Sequence, residues 1–411
     1  MHFFLKVFIV LIFGQTLGIL IWWKRLRKSP RLRMLMIGLF IAGNLPWPFF
    51  YLAVIQPEPA STWLFPFIMR LFLTWQFGFI LWFVFSSLII LIIAFFYKIP
   101  QMMIQFFQDE SPEDNPVSVA RREFLSRTGR KILWGTALTG AGWGFVRSGV
   151  GPGIVSYDIA LHDLPKELDG LTIAHLSDLH VGNWTFPGDM PRLLSRTREQ
   201  KPDMVVITGD IIDHNPLFSQ TLIRHLHYLK QVPLGIHAVI GNHDIYTGAR
   251  EVTQALQSGG INMLRNRHCS LSHLGLPLAL IGVDDPGRKW FGSGGAIHLE
   301  KAMTKLRPDL FPVLLVHRPT GFYQATAYNI PLTLCGHTHG GQFGIPGGPN
   351  LAGLAYEFTH GLYRIKDETK ENVLHVSAGI GAVGLPFRLG VPAEIAMLRL
   401  RSQGENTNIE I

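Results

Sequence analysis

The sequence predicts a layered α/β domain preceded by an α-helical membrane region. Two observations carry that reading. Nearly all the long apolar runs of the 411-residue chain fall within residues 1–150. From Ile154 onward, short apolar runs each end in a polar cluster and alternate with helix-like stretches. Three regions result: residues 1–100, residues 101–153 and residues 154–411.

Phe3–Trp23 is an apolar run of 21 residues, close to the roughly 20 needed to cross a hydrocarbon core about 30 Å thick. The stretch K-R-L-R-K-S-P-R-L-R (24–33), with six bases and no acid, leads into a second run, Met34–Ile55. A third covers about residues 67–97. Trp22, Trp23, Trp47, Trp63 and Tyr97 gather at run ends, as at a bilayer interface. Three transmembrane helices are expected, in contact with membrane lipids. The basic 24–33 loop belongs on the cytoplasmic side, so the third helix returns the chain inside near Lys98.

Residues 101–153 form a basic linker that contains a short, glycine-rich apolar segment, 132–146. Its length suits a signal-like region or a fourth transmembrane segment. Upstream, S-V-A-R-R-E-F-L-S (118–126) resembles a twin-arginine export signal, although an internal one. A crossing here puts the third region outside the cytoplasmic membrane. A segment that only lies on the surface leaves it inside.

Charge follows the same division. Residues 1–150 hold 15 Lys and Arg against 6 Asp and Glu, and the rest holds 22 against 23. A near-neutral third region argues against nucleic acid, which needs a basic face on the folded domain. Nothing in the pattern points to a protein partner. Two cysteines, Cys269 and Cys335, make no disulfide framework. Sixteen of the 17 histidines lie beyond residue 150, and histidine is the commonest metal ligand.

Seven runs in the third region read as buried strands: 171–180, 204–210, 235–244, 278–285, 311–319, 331–341 and 372–379. Helix-like stretches cover 190–200, 219–230 and 249–258. In such α/β layers, ligands gather outside the carboxyl ends of the strands. The polar residues there are Asp178 and His180, then Asp210, then Asn242, His243 and Asp244, then His317, then His337 and His339. In D-x-H and H-x-H both side chains fall on one side of an extended segment. These are oxygen and imidazole donors without thiolate, a set that suits Mn, Fe, Zn or Ni. Each alone has a simpler reading: Asp178 and Asp210 as helix caps, and Asn242, Gly209 and Gly241 as turn residues. Five strand ends bearing such donors make that reading a poor one.

The motifs D-L-H (178–180), G-D-I-I-D (209–213), G-N-H-D (241–244), V-H-R-P (316–319) and G-H-T-H-G-G-Q (336–342) resemble those of the calcineurin-like metallophosphoesterases. The likeness covers about residues 155–400. The last motif and the tail V-S-A-G-I-G…P-F-R-L-G-V-P-A-E-I look more narrowly like a bacterial branch of membrane-attached or twin-arginine-exported phosphodiesterases. That branch includes hydrolases of UDP-2,3-diacylglucosamine. The resemblance implies a layered β-sandwich flanked by helices and two divalent metal ions, with Mn favoured. Asp178, His180 and His339 would hold one ion, Asn242, His317 and His337 the other, and Asp210 would bridge them. His243 would lie beside the substrate phosphate, with Asp244 as its orienting partner. Asp285, with Asp284, and Arg388 would be substrate contacts; the plainer reading of Arg388 is a surface ion pair.

The implied function is hydrolysis of a phosphodiester or pyrophosphate bond in a phosphorylated, lipid-linked substrate at a bacterial cytoplasmic membrane, with the catalytic domain on the outer side. A phosphomonoesterase or nucleotide phosphodiesterase is the alternative within the enzymes. Of other classes, a non-catalytic metal-binding membrane sensor would be expected to lack ligands, and none is missing. A transporter would be expected to carry intramembrane ionisable pairs, which the apolar runs do not show.

Overall fold

The computed structural model describes residues 29–47 and 151–403, apart from 183, 184, 186, 288–296, 367–370 and 384–387, together with positions 9, 12–16, 19, 20, 23, 72, 75, 76 and 78. The chain divides into two compact units, residues 1–49 with 67–149 and residues 50–66 with 150–411.

In the first unit, a helix spans Pro30–Asn44. Proline is tolerated at its first position, where the N–H would lack an intrahelical partner anyway. Arg31 and Arg33 therefore lie on a helix, so the basic stretch predicted as a loop is helical from Pro30. Three amides, one from each predicted apolar run, bond together. Gln15 donates to Gln76, Asn44 donates to Gln15 at 2.6 Å, and Gln76 donates to Asn44 at 3.1 Å. Gln15 and Gln76 are buried. Gly43 lies so close to Trp75 that a Cβ there would overlap the indole. Among the described residues no helix is long and apolar enough to cross a membrane. The predicted runs 3–23 and 67–97 are described only at isolated positions, and the stretch 98–146, with the arginine pair and the 132–146 segment, lies outside the described residues.

The second unit holds twelve strands among its described residues: β1 (Gly153–Leu161), β2 (Thr172–Leu176), β3 (Met204–Thr208), β4 (Ile236–Val239), β5 (Asn262–Met263), β6 (Arg267–Ser270), β7 (Leu278–Gly282), β8 (Phe311–Leu315), β9 (Leu332–Cys335), β10 (Gly361–Lys366), β11 (Glu371–Val376) and β12 (Glu394–Ser402). They form two six-stranded sheets, in the orders β1-β12-β2-β3-β4-β5 and β10-β11-β9-β8-β7-β6. The inner strands are parallel: β2 with β3, β4 and β5, and β11 with β9, β8 and β7. Antiparallel pairings bring in β12 against β2, β6 against β7 and β10 against β11. β1 runs parallel to β12, with Gly153 opposite Glu394.

Strand side chains alternate faces, and here both faces are covered. Ile173, Val206, Leu280, Val313 and Leu334 share the cluster between the sheets. Ala174, Val205 and Ile207 turn the other way, onto Leu194, Leu222 and Leu256 of helices Met190–Glu199, Phe218–His225 and Asn242–Ser258. On the far side Ile281, Leu314 and Leu374 pack on Leu299 and Phe322 of helices Leu299–Met303 and Gly321–Ala327. Burial on both faces explains why these strands read as continuous apolar runs. The layered sandwich with outer helices is the α/β architecture expected. The helix predicted over 249–258 begins earlier, at Asn242, and bends at Gly248, whose φ of 135° no other residue adopts readily.

Two histidines interrupt the apolar interior. His175 on β2 and His375 on β11 meet across the sandwich, with Nδ1 atoms 2.8 Å apart, and His175 Nε2 lies 2.8 Å from Thr208 Oγ1. Both rings are fully buried. Burial lowers the His375 pKa to about 3. Burial and the neighbouring ring hold His175 well below its ordinary value as well. The unfolded chain binds a proton on each ring near pH 6.5, and the folded chain does not. Stability from these rings is therefore complete above pH 6.5 and declines as pH falls below it, by about 1.4 kcal/mol per pH unit per ring. Thermal unfolding midpoints measured from pH 7 to pH 5 are expected to fall, and His375→Leu is expected to flatten that slope; an equally steep slope in the variant would count against this account.

Candidate metal centre

The polar clusters follow the carboxyl ends of β2, β3, β4, β8 and β9. Tight backbone turns there aim the side chains inward. Asp178, His180, Asp210, His337 and His339 all have left-handed φ, of 52°, 45°, 48°, 73° and 52°. Such conformations cost about 1–3 kcal/mol each and persist where surrounding structure enforces them. The enforcement is visible in close packing: a Cβ on Gly241 would strike the Asp210 carboxylate, and one on Gly336 would strike Ser177 and Asp178.

Two overlapping groups of donors result. In the first, His180 Nε2 lies 3.2 Å from His339 Nε2, and His339 Nε2 lies 3.3 Å from Asp178 Oδ1. In the second, His317 Nε2 lies 3.2 Å from Asn242 Oδ1, 3.1 Å from His337 Nδ1 and 3.2 Å from Asp210 Oδ2. The same Asp210 Oδ2 is 3.6 Å from His180 Nε2, so one oxygen stands between the groups. Its other oxygen accepts the His243 N–H at 2.8 Å. All seven side chains therefore come together, and His243 joins His180 and Asp210 in a third overlapping group. The His243 ring packs edge-on to His180, with centroids 4.7 Å apart.

The donor chemistry fits cations. His317 is anchored through Nδ1, 2.8 Å from the Thr208 carbonyl, which turns Nε2 toward the carboxylate and the amide oxygen. His180 is anchored through Nδ1, 3.0 Å from Asp213. Acceptor atoms brought this close repel one another unless positive charge lies among them. Protons register that demand. Burial opposes charge on His317, yet Asp210, Asp178 and Asp285 push its pKa up to about 10. Burial likewise opposes charge on His243, and Asp210 and Asp213 raise it to about 9. Asp210 is held well below the usual carboxylate range, with His317 and His243 overcoming the effect of burial.

The profile of the calcineurin-like phosphoesterases matches residues 171–341. Over 295 residues the chain is 31% identical to an uncharacterised metallophosphoesterase, YkuE, of Bacillus subtilis, an alignment covering 69% of this chain and 98% of that protein. The chain belongs to the calcineurin-like metallophosphoesterases. A metallophosphoesterase of Aquifex aeolicus is 30% identical over 258 residues, 61% of this chain and 92% of its own length. A zebrafish (Danio rerio) transmembrane protein with a metallophosphoesterase domain is 33% identical over 267 residues, 63% of this chain and 60% of that protein. The protein is thus a phosphoester hydrolase with the dimetal-binding site of its family.

Three expectations for this metallophosphoesterase need correction. Asp244 does not orient His243. Its buried carboxylate accepts the backbone N–H groups of Gly241, Ile211 and Ile212, which pins the G-N-H-D turn to the G-D-I-I-D loop. The ring's partner is Asp213, 2.8 Å from His243 Nδ1. Asp285 is buried, because Arg318 closes over it at 2.7 Å; it does not stand open to a substrate. Arg318 Nη1 in turn lies 3.2 Å from His337 Nε2. Asp284 pairs with Arg265 and Asn266. Arg388 is half-buried and makes no ion pair among the described residues: its guanidinium lies 3.1 Å from His339 Nδ1 and bonds the carbonyls of His339 and Gly381. Loss of hydration lowers its pKa to about 10.

Sequence reading passed over two further residues. Tyr356 places its hydroxyl 2.9 Å from His337 Nε2, on a loop that carries no motif. Asp213 serves His180, His214 and His243 together, and its place as the last residue of G-D-I-I-D was the available signal. Asp213→Asn is expected to lower kcat about 10- to 100-fold with the fold intact by circular dichroism; an unchanged rate would remove its role. Asp210→Asn is expected to lose bound metal, by elemental analysis, and activity together.

Proposed function

We propose that the protein hydrolyses a phosphodiester or pyrophosphate bond in an amphiphilic, membrane-lipid-related phosphate of the class to which UDP-2,3-diacylglucosamine belongs. The observation that carries the hydrolytic centre is the Asp210 oxygen shared by two donor groups. Asp178, His180 and His339 would hold one divalent ion, and Asn242, His317 and His337 the other; Mn is favoured among Mn, Fe, Zn and Ni. Such a pair, when bound, makes water a nucleophile near neutral pH and neutralises the phosphoryl oxygens.

The residues do the rest. Thr208 and Asp213 fix the rings of His317 and His180, so that the donor set is formed before substrate arrives. Asp213 takes the His243 Nδ1 proton into a hydrogen bond, which leaves Nε2 to carry a proton to the departing oxygen. Water adds to phosphorus, the ester P–O bond breaks, and the alcohol leaves with that proton. Arg318 and Arg388 are committed to Asp285, His339 and Gly381, which suits the single charge of a diester better than the double charge of a monoester.

We further propose that residues 1–100 anchor the protein in a bacterial cytoplasmic membrane with the catalytic domain on its outer side. Support comes from the three apolar runs, the basic 24–33 stretch and the amides of Gln15, Asn44 and Gln76, a type of contact that joins helices in lipid.

Turnover of bis(p-nitrophenyl) phosphate with Mn²⁺, abolished by a chelator, is the expected outcome of a direct assay; no turnover on any diester would overturn the reading. His243→Ala is expected to keep its metal and lose about 10²–10⁴-fold in rate. Alkaline phosphatase fused after residue 160 is expected to be active and after residue 120 inactive, and equal activity at both would refute the outward placement.

A further inference from the structure

The stretch that begins with the last three residues of G-H-T-H-G-G-Q is unusual in composition. Residues 340–356 contain no charged side chain. Three of its aliphatic side chains nevertheless face outward: Ile345 is 65% exposed, Leu351 55% and Leu354 86%. Leu389 joins them. Its N–H donates to the Gln342 carbonyl at 2.8 Å, and its carbonyl accepts the Gly344 N–H at 2.8 Å. The four exposed aliphatics therefore lie on two segments that backbone bonds hold side by side, with Phe343 bridged to Leu389 and Gly344 to Asn350.

Hydrogen bonds brace both segments, and both carry a side chain that reaches the metal centre. Leu351 N–H bonds Phe343 O, and Ile345 N–H bonds Pro349 O. The Asn350 side chain accepts from Gly353 N–H and donates to Thr359 Oγ1. Two side chains tie these segments to the donor set. Tyr356, whose N–H bonds Ala352 O, reaches His337 Nε2. Arg388, next to Leu389, reaches His339 Nδ1. Leu354 and Leu389 are thus two residues and one residue along the chain from side chains that touch the donor set.

We infer that this surface is the seat of the alkyl or acyl chain of the substrate, joined through its phosphoester to the metal centre. The inference rests on the phosphodiesterase reading above and deepens it. An anionic, water-soluble ester gains nothing from four exposed aliphatics. A charged protein partner finds few ionic contacts here, since the 17 residues 340–356 are uncharged and Glu357 lies only at their end. A hydrocarbon chain attached to the scissile phosphate gains from all four and needs no polar match. The chain would cross the open face of Leu354 and Leu351 toward Ile345 and Leu389, which selects long-chain phosphoesters over short ones without any change in the reacting atoms.

The test uses the full chain with Mn²⁺ at one fixed detergent concentration, and p-nitrophenyl phosphodiesters whose second ester group is ethyl, butyl, hexyl or octyl. Release of p-nitrophenolate is the readout. Burial of a methylene changes binding by up to about fourfold, so partial burial over this series predicts a rise in kcat/KM of about tenfold or more from ethyl to octyl, expressed mainly in KM. Leu354→Ser and Ile345→Ser, both at open positions, are expected to flatten the rise and leave the ethyl ester rate unchanged. Leu274→Ser, at an exposed leucine of another loop, is expected to keep it; comparison at one detergent concentration cancels partitioning into micelles. A rise of equal slope in the Leu354 and Ile345 variants would overturn the seat, as would no rise in the parent. A uniform loss on all esters would place these side chains in bilayer contact or in structure and would also overturn it. No turnover of the ethyl ester, or of bis(p-nitrophenyl) phosphate, would instead remove the phosphodiesterase reading and the seat with it.

Discussion

The structure depends on positive charge being available to one carboxylate oxygen. Asp210 Oδ2 stands within 3.6 Å of His180 Nε2 and 3.2 Å of His317 Nε2, in an interior where nearly every neighbouring side chain is an acceptor. Carboxylates held away from water are costly unless paired. Three of them, Asp178, Asp210 and Asp213, are buried here within one constellation. Divalent cations meet that requirement in the working enzyme, and protonated imidazoles meet it otherwise. The same crowding that makes the site expensive for the fold is what makes it a receptor for ions.

The sandwich supplies the rigidity that this crowding needs. The parallel strands are hydrophobic on both faces, so they do not slide, and each ends in a turn too tight for ordinary backbone. Left-handed φ values at five of the ligand candidates are sustained because neighbouring glycines let the loops nest against one another. Behind the site, Thr208 is a junction: its carbonyl orients His317 and its hydroxyl contacts His175. A residue read only as part of an apolar strand thereby connects the core histidines to the metal centre.

Much of this was legible in the sequence, and for a physical reason. Strands buried on both faces are continuous apolar runs, and their polar ends stand out against them. Strands at the sheet margins were harder to see. β1 mixes exposed and buried positions, and β12 carries Arg399 and Arg401 among its apolar residues, so neither has the signature of an interior strand. The motif residues converge as a group because the carboxyl ends of parallel strands must share an edge. What the sequence concealed was who touches whom. Asp244 follows His243 directly, yet helix geometry turns it back to the loop N–H groups, and Asp213, some 30 residues away in sequence, takes the ring. Asp285 read as a substrate contact because nothing in a linear string reports that Arg318 covers it, and the bonds of Arg388 to His339 and Gly381 are equally invisible there.

The pairing of β1 with β12 decides where the chain enters the catalytic domain. Gly153 opens β1 opposite Glu394, and Glu394 N–H bonds the carbonyl of Gly379, whose Cα lies against Asp178. The polypeptide thus arrives at the mouth of the domain and not at its back. Residues inserted before Gly153 would therefore be added on the side of the domain where the donor set lies.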